Sequence, residues 1–372
     1  MPYFPPSHPD YNGLRHLLLM YGDRSRPWSE RELRHSVAHL RADGTPDDWF
    51  FDSILFLNVK AGSGRDYVAD VNRGTTMSGE GDFFAVCSPQ PADKSDWEEL
   101  LDFTLGPKGS VSELDRTITT CAQAIGIAPT AKRNVVLMLP YPHITQRAFG
   151  PLRSGSASLD FSIASQNLAR AAEQRLEAER WFVDEIVQRF RKLPVRHVHL
   201  LGVYWMFETV FRSWEIDDHW LLKELSGHIR GQNLKFFWIP FWSSYNVHLL
   251  DDYQSYYFDI AFLQPNYMFY RHGKTLKAAA DAARARNAGL EMEYYLELNE
   301  PIAVEGERHR RFREYLDGGV TYGYMTESAC THFQGVGALE RMRIHADKQE
   351  REFYEDIYTF VKGTYRLKGP LR

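Results

Sequence analysis

The chain has 372 residues, 44% of them hydrophobic and 25% charged, with a formal net charge of −5. That balance excludes global disorder and argues against a nucleic-acid partner, which calls for a basic surface. No apolar run approaches the roughly 20 residues that span a bilayer, and MPYFPPSHPDYNG lacks the segments of a signal peptide, so the expectation is a cytoplasmic chain unless a leader was removed.

The first apolar run is Leu14–Gly22, followed by an amphipathic stretch, Ser29–Leu40, in which Ser29 and Glu32 make a capping box. Phe50–Val59 is the second strand candidate. A long Gly-rich loop, Ala61–Pro91, leads into helical segments up to Gly126. Asn134–Pro142 is a strand cut off by proline, and a Gly/Ser-rich loop precedes the long helix Ile163–Lys192. His197–Trp205 is the fourth strand, followed by helix Asp217–Arg230. Leu234–Trp242 is the fifth, followed by a shorter polar connection. Phe258–Asn266 precedes helix Gly273–Asn287, Leu290–Tyr295 precedes helix Glu305–Asp317, and Val320–Met325 precedes a final helix near Ala338–Lys362.

Strands alternating with helices indicate parallel βαβ units. Eight of them over this length predict one α/β domain, residues 1–372, built as a (β/α)8 TIM-type barrel with enlarged βα loops. The competing doubly wound sheet normally carries a Gly-rich phosphate loop after an early strand. The first such loop here is YGDRSRPWSE, and neither GxGxxG nor GxxxxGK[ST] occurs.

Chemistry in such a barrel sits where the strands end. Strand four ends GVYWMFE, placing Glu208 beside Tyr204 and Trp205. Strand seven reads GLEMEYY, and Glu291 and Glu293 share one strand parity. The apolar parity should face the helices, so both glutamates should point into the lumen, Glu291 one layer deeper. Other strand ends supply Tyr21, Asp23, Asn58, Tyr141, His143, Trp242, Ser243, Tyr245, Gln264, Asn266 and Tyr267. The predicted eighth strand adds Tyr324 and Glu327, with His332 and Gln334 just beyond. Aromatic faces pack on sugar C–H faces while amides and carboxylates bind hydroxyls, the mixture a ligand pocket needs. Loops Ala61–Pro91 and Tyr141–Ser158 should wall a groove above Glu208 and Glu293.

The motifs VVLMLPYP, LLGVYWMFE, FFWIPFW, FLQPNYMF and GLEMEYY resemble an uncharacterised bacterial domain-of-unknown-function family grouped with TIM-barrel glycoside hydrolases. The resemblance runs from about Leu18 to Gln334. It implies carboxylates after strands four and seven and cleavage of a glycosidic bond in an oligo- or polysaccharide. Glu208 would be the acid/base and Glu293 the nucleophile of a retaining mechanism. Tyr21, Tyr141, Tyr204, Trp205, Trp242, Tyr245, Gln264, Asn266, Tyr267, Glu291, Tyr324 and Gln334 would contact substrate. The superfamily usually has Asn before its strand-four glutamate; Phe207 stands there, which keeps open a barrel that binds saccharide without cleaving it.

Other constellations are weaker. His197 and His199 form an HxH at the bottom of strand four, where features read as stability. Ser243 and Ser244 lack a nearby base, and Cys87, Cys121 and Cys330 make neither a disulfide framework nor a zinc site. The basic run Arg308–Arg313 reads as a solvated helix face. No organic cofactor or metal is implied, and the oligomeric state is open.

Overall fold

The computed structural model describes residues 2–22, 27–68, 76–77, 83–84, 90–212, 216–242, 247–269, 275–294, 307–334 and 337–369. Eight parallel strands close into a barrel: β1 (His16–Tyr21), β2 (Ser53–Leu57), β3 (Arg133–Leu139), β4 (Val198–Trp205), β5 (Lys235–Trp238), β6 (Ile260–Leu263), β7 (Gly289–Tyr294) and β8 (Cys330–Gln334). Each pairs with its neighbours in chain order, and β1 pairs with β8 to complete the ring. The strands read as nearly continuous apolar runs because one parity fills the lumen and the other meets the helices. The architecture is therefore the (β/α)8 barrel that the alternation of runs predicts.

The helices around it are α1 (Glu30–Val37), α2 (Lys94–Leu105), α3 (Ser110–Ile125), α4 (Leu168–Lys192), α5 (Asp218–Gly231), α6 (Leu276–Ala285), α7 (Arg308–Thr321), α8 (Ala338–Ile344) and α9 (Lys348–Val361). Side-chain caps fix where several begin. Ser29 N–H donates to Glu32 Oε2 at 3.0 Å. Asn167 accepts from the Arg170 amide at 2.9 Å, Asp217 from Trp220 at 3.1 Å and Thr275 from Ala278 at 3.2 Å. These satisfy amide groups that the first helical turn leaves unpaired. Among the described residues, the connection from β5 to β6 holds a 3-10 segment, Val247–Asp252, and a single helical turn, Tyr253–Tyr256.

Several boundaries differ from the sequence reading. The eighth strand is Cys330–Gln334 and not Val320–Met325, which straddles the end of α7 and the helical turn Tyr324–Glu327. Gly318 and Gly319 lie inside α7 because neighbours crowd them. A Cβ on Gly319 would sit 2.3 Å from the Phe360 ring, and one on Gly318 2.7 Å from the Tyr324 hydroxyl. The final helix is two helices, α8 and α9, and α4 starts five residues later than Ile163.

One irregularity matters for the site. Between β3 and β4 the register runs Val135 opposite Leu200 and then Val136 opposite Gly202, so Leu201 is an extra residue, a β-bulge. Gly202 is required there: a Cβ would lie 2.1 Å from the Lys235 carbonyl oxygen.

Candidate active site

β7 brings two carboxyl groups to the lumen. Leu290, Met292 and Tyr294 share the parity that faces the helices; Met292 and Tyr294 line a small apolar cavity with Phe312 and Leu316 of α7. Glu291 and Glu293 take the other parity, and both are buried. Glu291 receives the Thr331 hydroxyl at 3.4 Å. Burial first, then the charges of Glu293 and Glu208, push its carboxyl well above the usual range and favour the protonated form.

Glu293 sits one step nearer the mouth among several donors. The Asn266 amide donates to Oε1 at 2.6 Å and the Met268 amide to Oε2 at 3.2 Å. The Tyr315 hydroxyl of α7 also donates to Oε2. The two amides converge because Asn266 takes a left-handed conformation, φ 54°, in the turn that follows β6. Asparagine tolerates that region better than most side chains. Burial pushes Glu293 up to about 7, and the three donors work against burial by favouring the charged form.

Glu208 follows β4 and is partly exposed at the mouth. With its amide oriented nitrogen-first, Gln264 donates to both Glu208 oxygens at 3.3 Å. Burial, reinforced by the charge of Glu293, pushes Glu208 up to about 7 as well. Two interacting carboxyls titrate as a pair. The donors around Glu293 favour its charged form, and that charge in turn favours the proton on Glu208. The strand-six end ties the pair together, because the Gln264 side chain faces Glu208 while the amides of Asn266 and Met268 face Glu293.

Around the carboxyls stand Tyr204, whose hydroxyl is held neutral by burial and by the nearby Tyr21, Glu208 and Glu291, and Tyr21, which meets Phe333 edge-on at 5.4 Å. Trp242 is partly exposed, and its backbone amide donates to the Gln264 carbonyl at 3.2 Å. Thus Tyr21, Tyr204, Glu208, Gln264, Glu291, Glu293 and the Asn266 backbone come together, with Trp242 beside them.

Several expected contacts lie elsewhere. Trp205 has the parity opposite to Tyr204; it is fully buried on the helix side, its ring 5.5 Å from Tyr141. Tyr141 is also in that outer layer. Its hydroxyl donates to Asp218 at 3.0 Å, and Arg175, which donates to Asp218 at 2.7 Å, lies 5.2 Å from its ring centre. The hydroxyl of Tyr267 is taken by Glu314 of α7. Tyr324 lies in the helical turn before β8 and not at a strand end; it is fully buried and donates to the Tyr315 carbonyl. Gln334 does end β8 but accepts from the Leu339 amide at 3.1 Å, at the start of α8. His332 is within β8, and its Nε2 lies 3.0 Å from Nδ1 of His16 in a buried pair.

Asp23, Ser243, Ser244, Tyr245 and Cys87 fall outside the described residues, as does much of loop Ala61–Pro91. Loop Tyr141–Ser158 leaves the C-terminal end of β3 and leans outward over α2 and α4. Buried Phe149 packs against Trp97 at 4.8 Å and Phe161 at 5.0 Å, and its carbonyl accepts from the Lys94 amide. Among the described residues, no group of three or more His, Cys, Asp or Glu is arranged to hold a metal ion, and no helix is long and apolar enough to cross a membrane.

The sequence reading missed Tyr315, Arg311 and the two turn amides. Only the helical spacing of Arg311 and Tyr315 hinted at a shared face, and nothing local linked that face to β7. The basic run is not uniformly solvated: Arg311 and Arg313 are buried, and Arg313 donates to Asp356 at 2.6 Å.

A family model matches residues 16–359. The chain belongs to the family described as domain of unknown function DUF4855. No curated protein matches it by sequence. Among solved structures, it is similar to a GH18 chitinase from Pseudoalteromonas aurantia, with 8% identity, 91% of this chain and 99% of that one covered, and a TM-score of 0.43. It is also similar to a GH20 catalytic module of the pneumococcal exo-beta-D-N-acetylglucosaminidase StrH, at 10% identity, 96% and 86% coverage and a TM-score of 0.41. A mutant tryptophan synthase alpha-subunit from Pyrococcus furiosus follows at 9% identity, 97% and 99% coverage and a TM-score of 0.37. Function therefore has to be argued from the site.

Proposed function

We propose that the chain hydrolyses a glycosidic bond of an oligo- or polysaccharide by a retaining mechanism. The observation that carries the reading is the asymmetric pair, Glu293 among three donors and Glu208 at the mouth with its proton held by burial and by the charge of Glu293. A retaining site needs one ionised and one protonated carboxyl flanking the bond. Glu293 would attack the anomeric carbon. Glu208 gives its proton to the departing oxygen, then takes one from the water that releases the sugar from Glu293. Tyr21, Tyr204 and Trp242 would supply sugar contacts, and Gln264 would steady Glu208.

One observation favours a second reading, saccharide binding without cleavage. Phe207, just before Glu208, is buried against Tyr141 at 4.9 Å and Phe211 at 4.8 Å, so no polar group from that position reaches a sugar hydroxyl. A panel of chromogenic glycosides and polysaccharides separates the two. Release of reducing ends supports hydrolysis; saccharide binding by calorimetry with no release on any substrate supports the second reading.

A further inference from the structure

Part of the basic run on α7 turns inward, toward the turn that follows β6. The guanidinium of Arg311 donates to the Tyr267 carbonyl and lies over the Tyr267 ring, 4.7 Å from its centre, while its Nε donates to Glu307 at 3.1 Å. The Tyr267 hydroxyl donates to Glu314. Four residues after Arg311, Tyr315 donates to Glu293. Residues three and four apart share a helix face. Arg311, Glu314 and Tyr315 therefore grip the Asn266–Met268 turn and Glu293 from one side.

We propose that α7 is the positioning element for Glu293: Tyr315 holds Oε2 directly, and Arg311 with Glu314 holds the turn whose two amides complete the donor set. The turn needs holding. Asn266 is in the left-handed region, which asparagine tolerates but which still costs more than extended or helical backbone. Its amides must also stay aimed at one carboxylate in a site where an unpaired charge is expensive. Arg311 is suited to this, since a flat guanidinium can stack on the Tyr267 ring and donate to its carbonyl together. Arg311, Glu314 and Tyr315 act through Glu293 and not on the substrate.

The assignment deepens the hydrolase reading, and its test needs no substrate. The side-chain carboxyls of glutamate are labelled with carbon-13 and titrated by NMR, with the Glu293 signal identified by its loss in Glu293→Gln. Loss of a hydrogen bond to the charged form raises a carboxyl pKa. Tyr315→Phe should raise the Glu293 midpoint by about one pH unit. Arg311→Lys should raise it by less, because lysine can still donate to the Tyr267 carbonyl but cannot stack. An unchanged midpoint in folded Tyr315→Phe overturns the assignment. Should that variant fail to fold, Arg311→Lys and Glu314→Gln decide it, and unchanged midpoints in both overturn it. A shift in a protein that cleaves no glycoside supports the assignment and removes the hydrolase reading; cleavage with no shift does the reverse. Where turnover is measurable, the acid limb of kcat/KM should move with the midpoint, which a purely packing role would not produce.

Discussion

Gln264 reaches Glu208 from a strand two places away in the ring, and with its amide oriented nitrogen-first the nitrogen lies 3.3 Å from each carboxylate oxygen. A donor on both oxygens steadies the charged form of Glu208, which burial and Glu293 disfavour. Glu208 can therefore hold a proton near neutrality and still part with it. An acid that must also serve as base needs that balance.

The roles should separate in kinetics. Glu293→Gln should abolish turnover on every substrate. Glu208→Ala should cost about 10²–10⁴-fold on natural substrate. The loss should be much smaller for the first step of an aryl glycoside with a good leaving group, and azide should restore the second step. With both carboxyls raised to about 7, wild-type kcat/KM should be a narrow bell near neutrality. It falls on the acid side as Glu293 gains a proton and on the basic side as Glu208 loses one, and Glu208→Ala should lose the basic limb. Full activity of Glu208→Ala on natural substrate would move the acid elsewhere.

Glu291 should act as a brake on stability. Its folded pKa is raised well above 4.5. Below pH 4.5 both folded and unfolded states are protonated and there is no cost. As the pH rises beyond 4.5 the unfolded carboxyl ionises while the folded one does not, and the fold loses up to about 1.4 kcal/mol per pH unit until the folded group titrates. Glu291→Gln keeps the shape of the neutral acid and removes that cost. Its Tm should rise by a few degrees at pH 7 and match wild type near pH 4, measured by calorimetry.

The buried histidine pair should give the opposite slope. Burial lowers His332 to about 3, and burial with His332 lowers His16 well below 6.5. Both are neutral in the fold, so above pH 6.5 they carry no penalty. As pH falls below 6.5 the unfolded histidines bind protons that the folded ones refuse, and stability drops. The raised carboxyls slope the other way over the same range, so the pair is read as a difference: in urea unfolding, wild type should lose stability relative to His332→Gln as the pH falls from 6.5 to 5.

Tyr141 offers a test of layer. Tyr141→Phe removes its bond to Asp218 and should cost about 1–2 kcal/mol of stability. Because the ring faces α4 and α5, KM for any saccharide should stay unchanged. A raised KM with unaltered stability would put the hydroxyl at the substrate.

The barrel was legible because its strands are apolar runs separated by helix-length segments, and Glu291 and Glu293 were legible because parity is local. What failed was long-range or crowded. Cys330–Gln334 is short, with His332 and Gln334 on its helix-side parity, so VTYGYM outcompeted it as a strand. Tyr141 and Trp205 look like sugar platforms in sequence, and only the partners across the layer, Arg175 and Asp218, show them to be core. The reach of Tyr315 from α7 to Glu293 spans 22 positions of chain and leaves no periodic trace.

The extra residue at Leu201 sits between two pairs that are consecutive on β3, Val135 with Leu200 and Val136 with Gly202. Removing Leu201 would therefore close the bulge and leave Tyr204 and Trp205 opposite Met138 and Leu139, on the faces they hold now. A residue lost or gained between Gly202 and Trp205 has no such outlet, because side chains alternate with period two. Trp205 would then swing into the lumen and Tyr204 out among the helices. Composition would scarcely change, yet the mouth would hold an indole where a phenol now stands. Length thus matters unequally along one strand: it is free to vary at the bulge and fixed in the four residues beyond it.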